Sequence, residues 1–477
     1  MKSFTSKKVA GLCVSALISL CGLSGFAQSE GGKTTASPSG TKPLLQDIEV
    51  YKQPAPAALS STPLVTKTGN VTPGGSVSLN KIKTSIPVLA EAVIPGYSGV
   101  LVESVDGKVV VDSGSNFAYN PASNVKIATA YAVLKTFGPD YRFPTNVWTD
   151  GSYEEATGTI HGNIYVSGRD PMFGFEHAVT VAAELNRMGI RIIKGDLVVT
   201  DNFAMNYSNS PVRSSQSLFD SVDASKRSAA ANRVWSTHLV SSGKLNRLAG
   251  VPSVTFSGGV YVQPMPGNLK LLFSHESAPM REIVKTTMCY SNNFLSERLG
   301  DMLGGPYAVA RVVQQNTGVG PMEFSIQTSS GLGINRVTPK AMMKLLRTLR
   351  HELARYKMTF ADIMPVAGVD KGTLENRFDT DFSMGSVVGK TGTLGQTDGG
   401  VSALAGEINT RAGKFLFVIF NQRGSVARFR NFQNYYISLI QGQFGGAAPM
   451  AYSPVALDVR LAKTRITYPA SRPAGSE

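Results

Sequence analysis

Cysteine is almost missing from this sequence, which has three cysteines in 477 residues. Cys13 and Cys21 lie close to the N-terminus, and only Cys289 remains further along the chain. An internal disulfide framework is therefore excluded once those first residues are set aside. Histidine is also scarce, with five residues and no paired spacing of the kind that binds zinc, so we predict no metal and no other cofactor.

Beyond the N-terminus, the chain has no apolar run long enough to span a membrane, which takes roughly 20 residues. At the N-terminus, three lysines precede a shorter apolar run over residues 9–23, and small residues follow at Gly25 and Ala27. This pattern predicts a secretory signal peptide at 1–27 that is cleaved on export. An uncleaved anchor is the alternative, and the shortness of the run argues against it.

Acidic residues are outnumbered, with 33 Asp and Glu against 47 Lys and Arg and a net charge of +14. Hydrophobic residues make up 42 % of the chain, enough to build a large core, which excludes wholesale disorder. A basic balance suits an anionic partner. For an exported protein we predict no nucleic acid as that partner, but peripheral contact with a membrane surface or an anionic wall polymer.

The chain is long enough for two or more domains. Residues 28–87 are rich in Pro, Ser, Thr and Gly, which predicts a flexible leader. Two β-branched runs at 99–105 and 108–111 flank Asp106-Gly107, a dipeptide typical of tight hairpins. Apolar patterning predicts further strands at 386–393, 401–408 and 414–421, and helices at 125–134, 277–303, 339–350 and 425–440.

Two early strands and three late ones, with helices between them, predict an α+β fold in which an antiparallel five-stranded sheet lies between helices. Residues 146–265 combine short strand-like runs with a polar stretch, which predicts an inserted, mainly β/α second domain. The sheet domain would then comprise 88–145 and 266–450, and residues 451–477 would form a C-terminal tail.

The pattern Ser-x-x-Lys is a weak signal alone, since it occurs four times, at Ser39, Ser78, Ser123 and Ser241. Only Ser123 opens an apolar helix, which places Lys126 on the same face one turn later. Burial would favour the free amine of Lys126, and that amine could take the proton of the Ser123 hydroxyl. A capping serine and a snorkelling lysine would give the same tetrapeptide.

Two further segments favour the catalytic interpretation of Ser123 and Lys126 over the alternative of a capping serine and a snorkelling lysine. Ser291-Asn292-Asn293 interrupts an apolar helical region and offers a hydroxyl and an amide. Lys390-Thr391-Gly392-Thr393 follows two valines on a predicted strand, where Gly392 would let a ligand approach the backbone closely. The three segments are informative as an ordered set, since each lies on the kind of element that its chemistry needs.

With these motifs, Ser-x-x-Lys, Ser-x-Asn and Lys-Thr-Gly, the sequence resembles the serine D,D-peptidases and penicillin-recognising enzymes. More narrowly, it resembles class C penicillin-binding proteins, the D-alanyl-D-alanine carboxypeptidases and endopeptidases of the penicillin-binding protein 4 type. Further segments that carry the resemblance are 120–123, 138–143, 162–166, 168–171, 195–199, 330–332 and 365–368. The resemblance implies a β-lactamase/transpeptidase-like fold, and the predicted signal peptide leads us to expect a periplasmic location.

The resemblance also implies roles for individual residues. Ser123 would be the nucleophile, Lys126 its base, Ser291 and Asn293 the partners from the second motif, and Lys390 an electrostatic anchor. In the strand motif, the hydroxyls of Thr391 and Thr393 would meet the terminal carboxylate of a D-Ala-D-Ala stem peptide, next to Gly392. The backbone N–H groups of Ser123 and Thr393 would form the oxyanion hole.

Peptidoglycan stem peptides and their cross-links are the partners that the resemblance implies, with β-lactam antibiotics as covalent inhibitors. Two departures from the family stand out. Thr328 takes the place of an Asp before the Ser-Gly-Leu segment. The interval between Ser123 and Ser291 is short, so we expect the nested third domain after Phe203 to be reduced or absent, and the site to be more open.

Two other functions fit the same motifs. A β-lactamase-like hydrolase would need a fast deacylating base, yet no Glu-x-x-Leu-Asn segment lies between Asn293 and Lys390. The nearest candidate is Glu375, which we interpret as an ordinary loop charge. A catalytically inactive peptidoglycan-binding protein could keep the fold, although the three motifs are intact.

Overall fold

The computed structural model describes residues 81–244 and 250–469. The predicted signal peptide and all but the last residues of the predicted leader lie outside these ranges. In the described chain, the helices are α1 (Pro87–Ala90), α2 (Val125–Phe137), α3 (Phe175–Arg187), α4 (Pro211–Val222), α5 (Ala229–Ser241), α6 (Met280–Tyr290), α7 (Asn293–Asp301), α8 (Pro306–Thr317), α9 (Pro339–Arg355), α10 (Val426–Gln443) and α11 (Leu457–Leu461). Among these described helices, none combines the length and the apolar character that crossing a bilayer requires.

The strands fall into two large sheets and two small ones. They are β1 (Tyr97–Ser104), β2 (Val109–Ser113), β3 (Pro144–Thr149), β4 (Ser152–Glu154), β5 (Thr159–His161), β6 (Ile164–Gly168), β7 (Ile192–Ile193), β8 (Leu197–Val199), β9 (Thr255–Phe256), β10 (Val260–Val262), β11 (Lys270–Glu276), β12 (Phe324–Ser325), β13 (Arg336–Val337), β14 (Val387–Leu394), β15 (Val401–Thr410), β16 (Gly413–Gln422) and β17 (Arg465–Thr467).

The five-stranded sheet has the order β14-β15-β16-β1-β2 and is antiparallel throughout. Its two early strands join three late ones, because β1 pairs with β16 along its whole length. Gly107 makes the turn between β1 and β2 with a φ of +98°. The fold class predicted from the sequence is therefore confirmed.

Helices cover both faces of this sheet, and successive residues of β16 show why the strand is apolar throughout. Leu416, Val418 and Phe420 pack in the core that contains α2, α6, α8 and α9. Phe417 and Ile419 pack in a second core, which contains residues of α1 and α10. Because strand side chains alternate between faces, burial of both faces requires an unbroken apolar run.

A third hydrophobic cluster lies apart from these two and is built from residues 147–273. It packs helices against a six-stranded sheet of order β10-β8-β6-β3-β11-β17. In this sheet β11, assigned from sequence to the flanking domain, pairs with β3. Strand β17, in the segment assigned to a C-terminal tail, pairs with the outer side of β11. The sheet thus draws on chain segments beyond the predicted limits of the insertion.

Candidate active site

The segment around Ser123 is a short 3-10 turn that leads directly into α2. Ala122 has a φ of +46°, a left-handed conformation that a residue with a Cβ rarely adopts. Two glycines close around it: a Cβ on Gly331 would lie 1.9 Å from the carbonyl oxygen of Ala122, and one on Gly392 would lie 2.7 Å from that of Pro121. Glycines at both positions therefore allow the backbone contacts that hold the Ser123 turn.

Lys126 lies in the first turn of α2, a helix whose residues 125–134 are all buried. Its Nζ donates hydrogen bonds to Ser123 Oγ (3.2 Å), Asn293 Oδ1 (2.7 Å) and the carbonyl oxygen of Ser330 (2.6 Å). Burial lowers the pKa of Lys126 to about 7, although the charge of Glu297 opposes this shift. A large fraction of the lysine is then a free amine near neutral pH, within reach of the serine hydroxyl.

The predicted interruption at 291–293 is present, because α6 ends and α7 begins there. Ser291 ends α6 with a φ of +54°, and the side chain of Asn292 caps α7 by accepting from the N–H of Leu295 at 3.0 Å. Ser291 and Asn293 both line the cavity that Ser123 faces. The junction thus places two polar side chains on the cavity wall. The helix predicted over 277–303 is two helices, separated at the Ser-Asn-Asn segment.

Lys390 lies on β14 and is fully buried. Its Nζ donates to the carbonyl oxygen of Thr391 at 2.8 Å. Burial lowers the pKa of Lys390 well below its usual value, and the charge of Lys126 adds to the shift. Thr391, Gly392 and Thr393 line the cavity itself.

Strand β14 is the edge of its sheet, and among the described residues its outer side is paired only at its start. There, the N–H of Gly389 donates to Pro365 and the carbonyl of Val387 accepts from Ala367. Backbone groups of an antiparallel strand alternate in direction every residue, so the N–H groups of Thr391 and Thr393 point to the same outer side. An extended peptide could therefore pair with this edge next to Ser123.

Glu297 is a residue of the site that the sequence motifs did not indicate. On α7, one turn after Asn293, its two carboxylate oxygens accept from the N–H groups of Ser329 (3.0 Å) and Ser330 (2.9 Å). This holds the carbonyl of Ser330 against Lys126. The spacing Asn293-x-x-x-Glu297 was the available signal, since residues four apart share a helix face.

Thr328, the departure from the family pattern, makes a local turn. Its hydroxyl accepts from the N–H of Gly331 at 3.0 Å and donates to the carbonyl of Leu332 at 2.9 Å. Glu375, the nearest candidate for a deacylating base, forms an exposed ion pair with Lys371. It is not among the residues lining the cavity.

The cavity has a volume of about 630 Å³ and joins all three motifs. Two arginines on its wall, Arg377 and Arg430, were not anticipated from sequence. Arg430 donates to the Thr393 hydroxyl at 3.0 Å. In residues 81–244 and 250–469, His, Cys, Asp and Glu side chains form no group of three or more that could hold a metal ion.

A serine beside a buried lysine amine, at the open edge of an antiparallel sheet between helices, defines a serine hydrolase of the β-lactamase/transpeptidase type. Within that class, comparison with family models assigns the chain to a single family. The chain belongs to the D-Ala-D-Ala carboxypeptidase 3 (S13) family, whose model matches residues 79–217 and 221–437. The resemblance stated from the motifs is thereby confirmed.

Curated relatives agree with this assignment. The chain is 23 % identical to a D-alanyl-D-alanine carboxypeptidase of Actinomadura sp. over 444 residues, which cover 72 % of this chain and 81 % of that protein. It is 22 % identical over 415 residues to the D-alanyl-D-alanine carboxypeptidase DacB of Haemophilus influenzae, with 68 % and 84 % covered.

Solved structures share the fold. The penicillin G-acylated predatory endopeptidase from Bdellovibrio bacteriovorus, in complex with its immunity protein, matches with a TM-score of 0.66 at 22 % identity, covering 78 % of this chain and 99 % of that one. Penicillin binding protein 4 from Haemophilus influenzae matches with a TM-score of 0.55 at 20 % identity, covering 76 % and 100 %.

Proposed function

We propose that this protein is a serine D,D-peptidase that cleaves peptidoglycan stem peptides through an acyl-enzyme at Ser123, as a carboxypeptidase and as an endopeptidase. The observation that carries the proposal is the 3.2 Å separation of Lys126 Nζ and Ser123 Oγ, with the lysine buried and the serine on the wall of the cavity. Family membership supplies the substrate class, D-Ala-D-Ala peptides.

In the acylation step, the free amine of Lys126 accepts the proton of the Ser123 hydroxyl, and Oγ attacks the carbonyl carbon between the two D-Ala residues. Asn293 orients the lysine. The oxygen of the tetrahedral intermediate lies between the N–H groups of Ser123 and Thr393, and each such donor is worth about 3 kcal/mol of barrier. Collapse breaks the C–N bond, and the leaving amine takes the proton, for which Ser291 offers a relay.

Substrate recognition depends on the leaving residue's carboxylate. Thr391 and Thr393 present hydroxyls on the cavity wall, and Gly392 lies between them. Lys390 lies fully buried on the same strand, and its Nζ donates to the carbonyl oxygen of Thr391, so it holds the threonine motif in place without contacting the substrate. A water molecule, again activated by Lys126, then hydrolyses the acyl ester.

Penicillin fits the same scheme, because it carries a carboxylate next to a strained amide and acylates the nucleophile. We propose β-lactams as covalent inhibitors, in keeping with the penicillin G-acylated Bdellovibrio neighbour. We also propose export to the periplasm with cleavage after residue 27, and an inserted domain over about 146–265 whose nested third domain is reduced or absent. The positive charge would favour peripheral contact with a membrane or an anionic wall polymer.

The β-lactamase alternative requires a base dedicated to deacylation, and the exposed Glu375–Lys371 pair does not supply one. An inactive wall-binding protein would not need a lysine amine beside its serine. Incubation with purified muropeptides, followed by mass spectrometry of monomeric and cross-linked products, separates these functions. An active peptidase removes terminal D-Ala or splits dimers, and unchanged muropeptides would refute the proposal.

Ser123→Ala tests the nucleophile directly, with a fluorescent penicillin as the probe. Ser241→Ala is the matched control, because Ser241 also begins a Ser-x-x-Lys tetrapeptide but lies at the exposed end of α5. We expect no covalent labelling of Ser123→Ala and normal labelling of Ser241→Ala. Normal labelling of both variants would place the nucleophile elsewhere.

A further inference from the structure

The cavity wall beyond Thr393 is cationic. Arg430, on α10, donates to the Thr393 hydroxyl at 3.0 Å. Arg377, in the loop before β14, lines the same cavity. Of the described residues that line this cavity none carries a carboxylate, and its polar side chains are mostly amides and hydroxyls, including Asn376, Asn431, Asn434, Thr373 and Ser402. Such a wall suits an anionic ligand.

The position of Arg377 is set before any ligand binds. Its guanidinium donates to Asn434 Oδ1 at 2.9 and 2.6 Å and to Gln433 Oε1 at 3.1 Å. Gln433 is itself fully buried and donates to Ser402 (3.1 Å) and Asn421 (3.0 Å). A ligand held by this guanidinium would therefore lose little affinity to the ordering of the side chain.

Neither of these two arginines forms an ion pair with an acidic residue of the described chain, whereas Arg336, for example, pairs with Asp398 at 2.8 Å. Arg377 instead bonds amide oxygens, and Arg430 bonds a hydroxyl. Burial, together with the charge of Arg430, lowers the pKa of Arg377 to about 10. A bound carboxylate would stabilise the charged guanidinium of Arg377 against both the cost of its burial and the repulsion by Arg430.

The direction of this wall relative to Ser123 indicates which part of a substrate would reach it. Thr393 holds the leaving residue in the proposed reaction, and Arg430 contacts Thr393, so the arginines lie on the leaving-group side. The space also continues: a second cavity of about 510 Å³ shares Asn434 with the first and runs along α10. A leaving group longer than one residue has room here.

We propose that Arg377 and Arg430 form a second carboxylate subsite, which binds the leaving strand of a cross-linked peptide at a carboxylate other than the one held by Thr391 and Thr393. This inference rests on the proposed function. It specifies the enzyme's preferred substrate as a cross-linked peptide whose leaving strand carries a negative charge. A single D-Ala leaving group has one carboxylate and cannot occupy both positions.

The experiment uses two synthetic cross-linked dimers that differ only in one leaving-strand glutamate carboxylate, which is free in one and amidated in the other. The enzyme should cleave the free form with a kcat/KM about tenfold higher, the size expected for one charge-assisted contact. Arg377→Gln and Arg430→Gln should each bring this ratio close to one. Arg428→Gln removes the same charge from the exposed side of α10 and should leave the ratio unchanged.

The ratio of kcat/KM for the free and the amidated dimer distinguishes binding from a structural role. If Arg377 were purely structural, its replacement would lower both values and leave their ratio unchanged. A ratio near one in the unmodified enzyme, or an unaltered ratio in both variants, would overturn the inference. A pentapeptide monomer is measured in parallel. Its cleavage by the unmodified enzyme keeps the proposed function intact whatever the dimers show, whereas failure on all three substrates would refute the proposed function itself.

Discussion

Nζ of Lys126 lies 2.7 Å from Oδ1 of Asn293, although the two residues are 167 positions apart in the sequence. This hydrogen bond joins the first turn of α2 to the first residue of α7. It orients the lysine amine toward Ser123 and accounts for the presence of an amide in the second motif, because an amide oxygen accepts from the lysine without adding a charge that would raise its pKa.

Asn293→Ala should therefore slow acylation by a factor of about 10 to 100 with little change in stability, as expected for loss of one hydrogen bond to a charged or polar partner at the reacting group. Its neighbour provides the control. Asn292→Ala removes the cap of α7 and should cost about 1 kcal/mol of unfolding free energy, with a smaller effect on rate. Penicillin acylation rates and thermal melting measure the two effects, and the opposite pattern would contradict the assignment.

The pH dependence of acylation follows from the pKa of Lys126, which burial lowers to about 7. Below that pH the lysine is protonated and cannot accept the serine proton, and above it the amine is free. The acylation rate should rise with pH through about 7 and then level off. Stopped-flow acylation between pH 5 and 9 provides the test, and a rate that does not change across this range would exclude Lys126 as the base.

Glu297→Gln should shift this profile. The Glu297 charge raises the pKa of Lys126, so its removal should move the midpoint to lower pH. Acylation at the plateau should also slow, because the amide can accept only one of the two N–H groups that now bond the carboxylate. Glu375→Gln is the control and should change neither property. Slower deacylation in Glu375→Gln would instead favour the β-lactamase alternative.

Gly331→Ala should abolish most acylation and destabilise the fold. A Cβ there would lie 1.9 Å from the carbonyl oxygen of Ala122, so the Ser123 turn or the 329–332 turn must move. Gly333→Ala is a matched control: its φ of +72° is similar, but its Cβ would meet open space. The control should lose only about 1–2 kcal/mol for the left-handed backbone, whereas Gly331→Ala should lose about 1–3 kcal/mol more from overpacking. Equal melting temperatures and equal acylation rates would refute the packing argument.

The elements of the five-stranded sheet could be predicted because each strand is a continuous apolar or β-branched run, and burial of both sheet faces produces such a run. Strand β17 could not, since three residues carry no periodicity and are strands only because β11 lies beside them. The break after α6 was indicated by the Ser291-Asn292-Asn293 segment and not by the apolar periodicity, which continues over 277–303. It depends on a left-handed Ser291 rather than on a glycine or proline.

The sequence by itself determined which residues carry the proposed chemistry, because nucleophile, base and strand motif each have a local pattern: Ser123 and Lys126 one turn apart, and Lys390 to Thr393 on one strand. Only the tertiary structure decided what surrounds them. Glu297, Arg377 and Arg430 reach the site from elements distant in the chain, and Lys126 owes its lowered pKa to burial. Such contacts depend on packing between elements, and neither composition nor spacing encodes them locally.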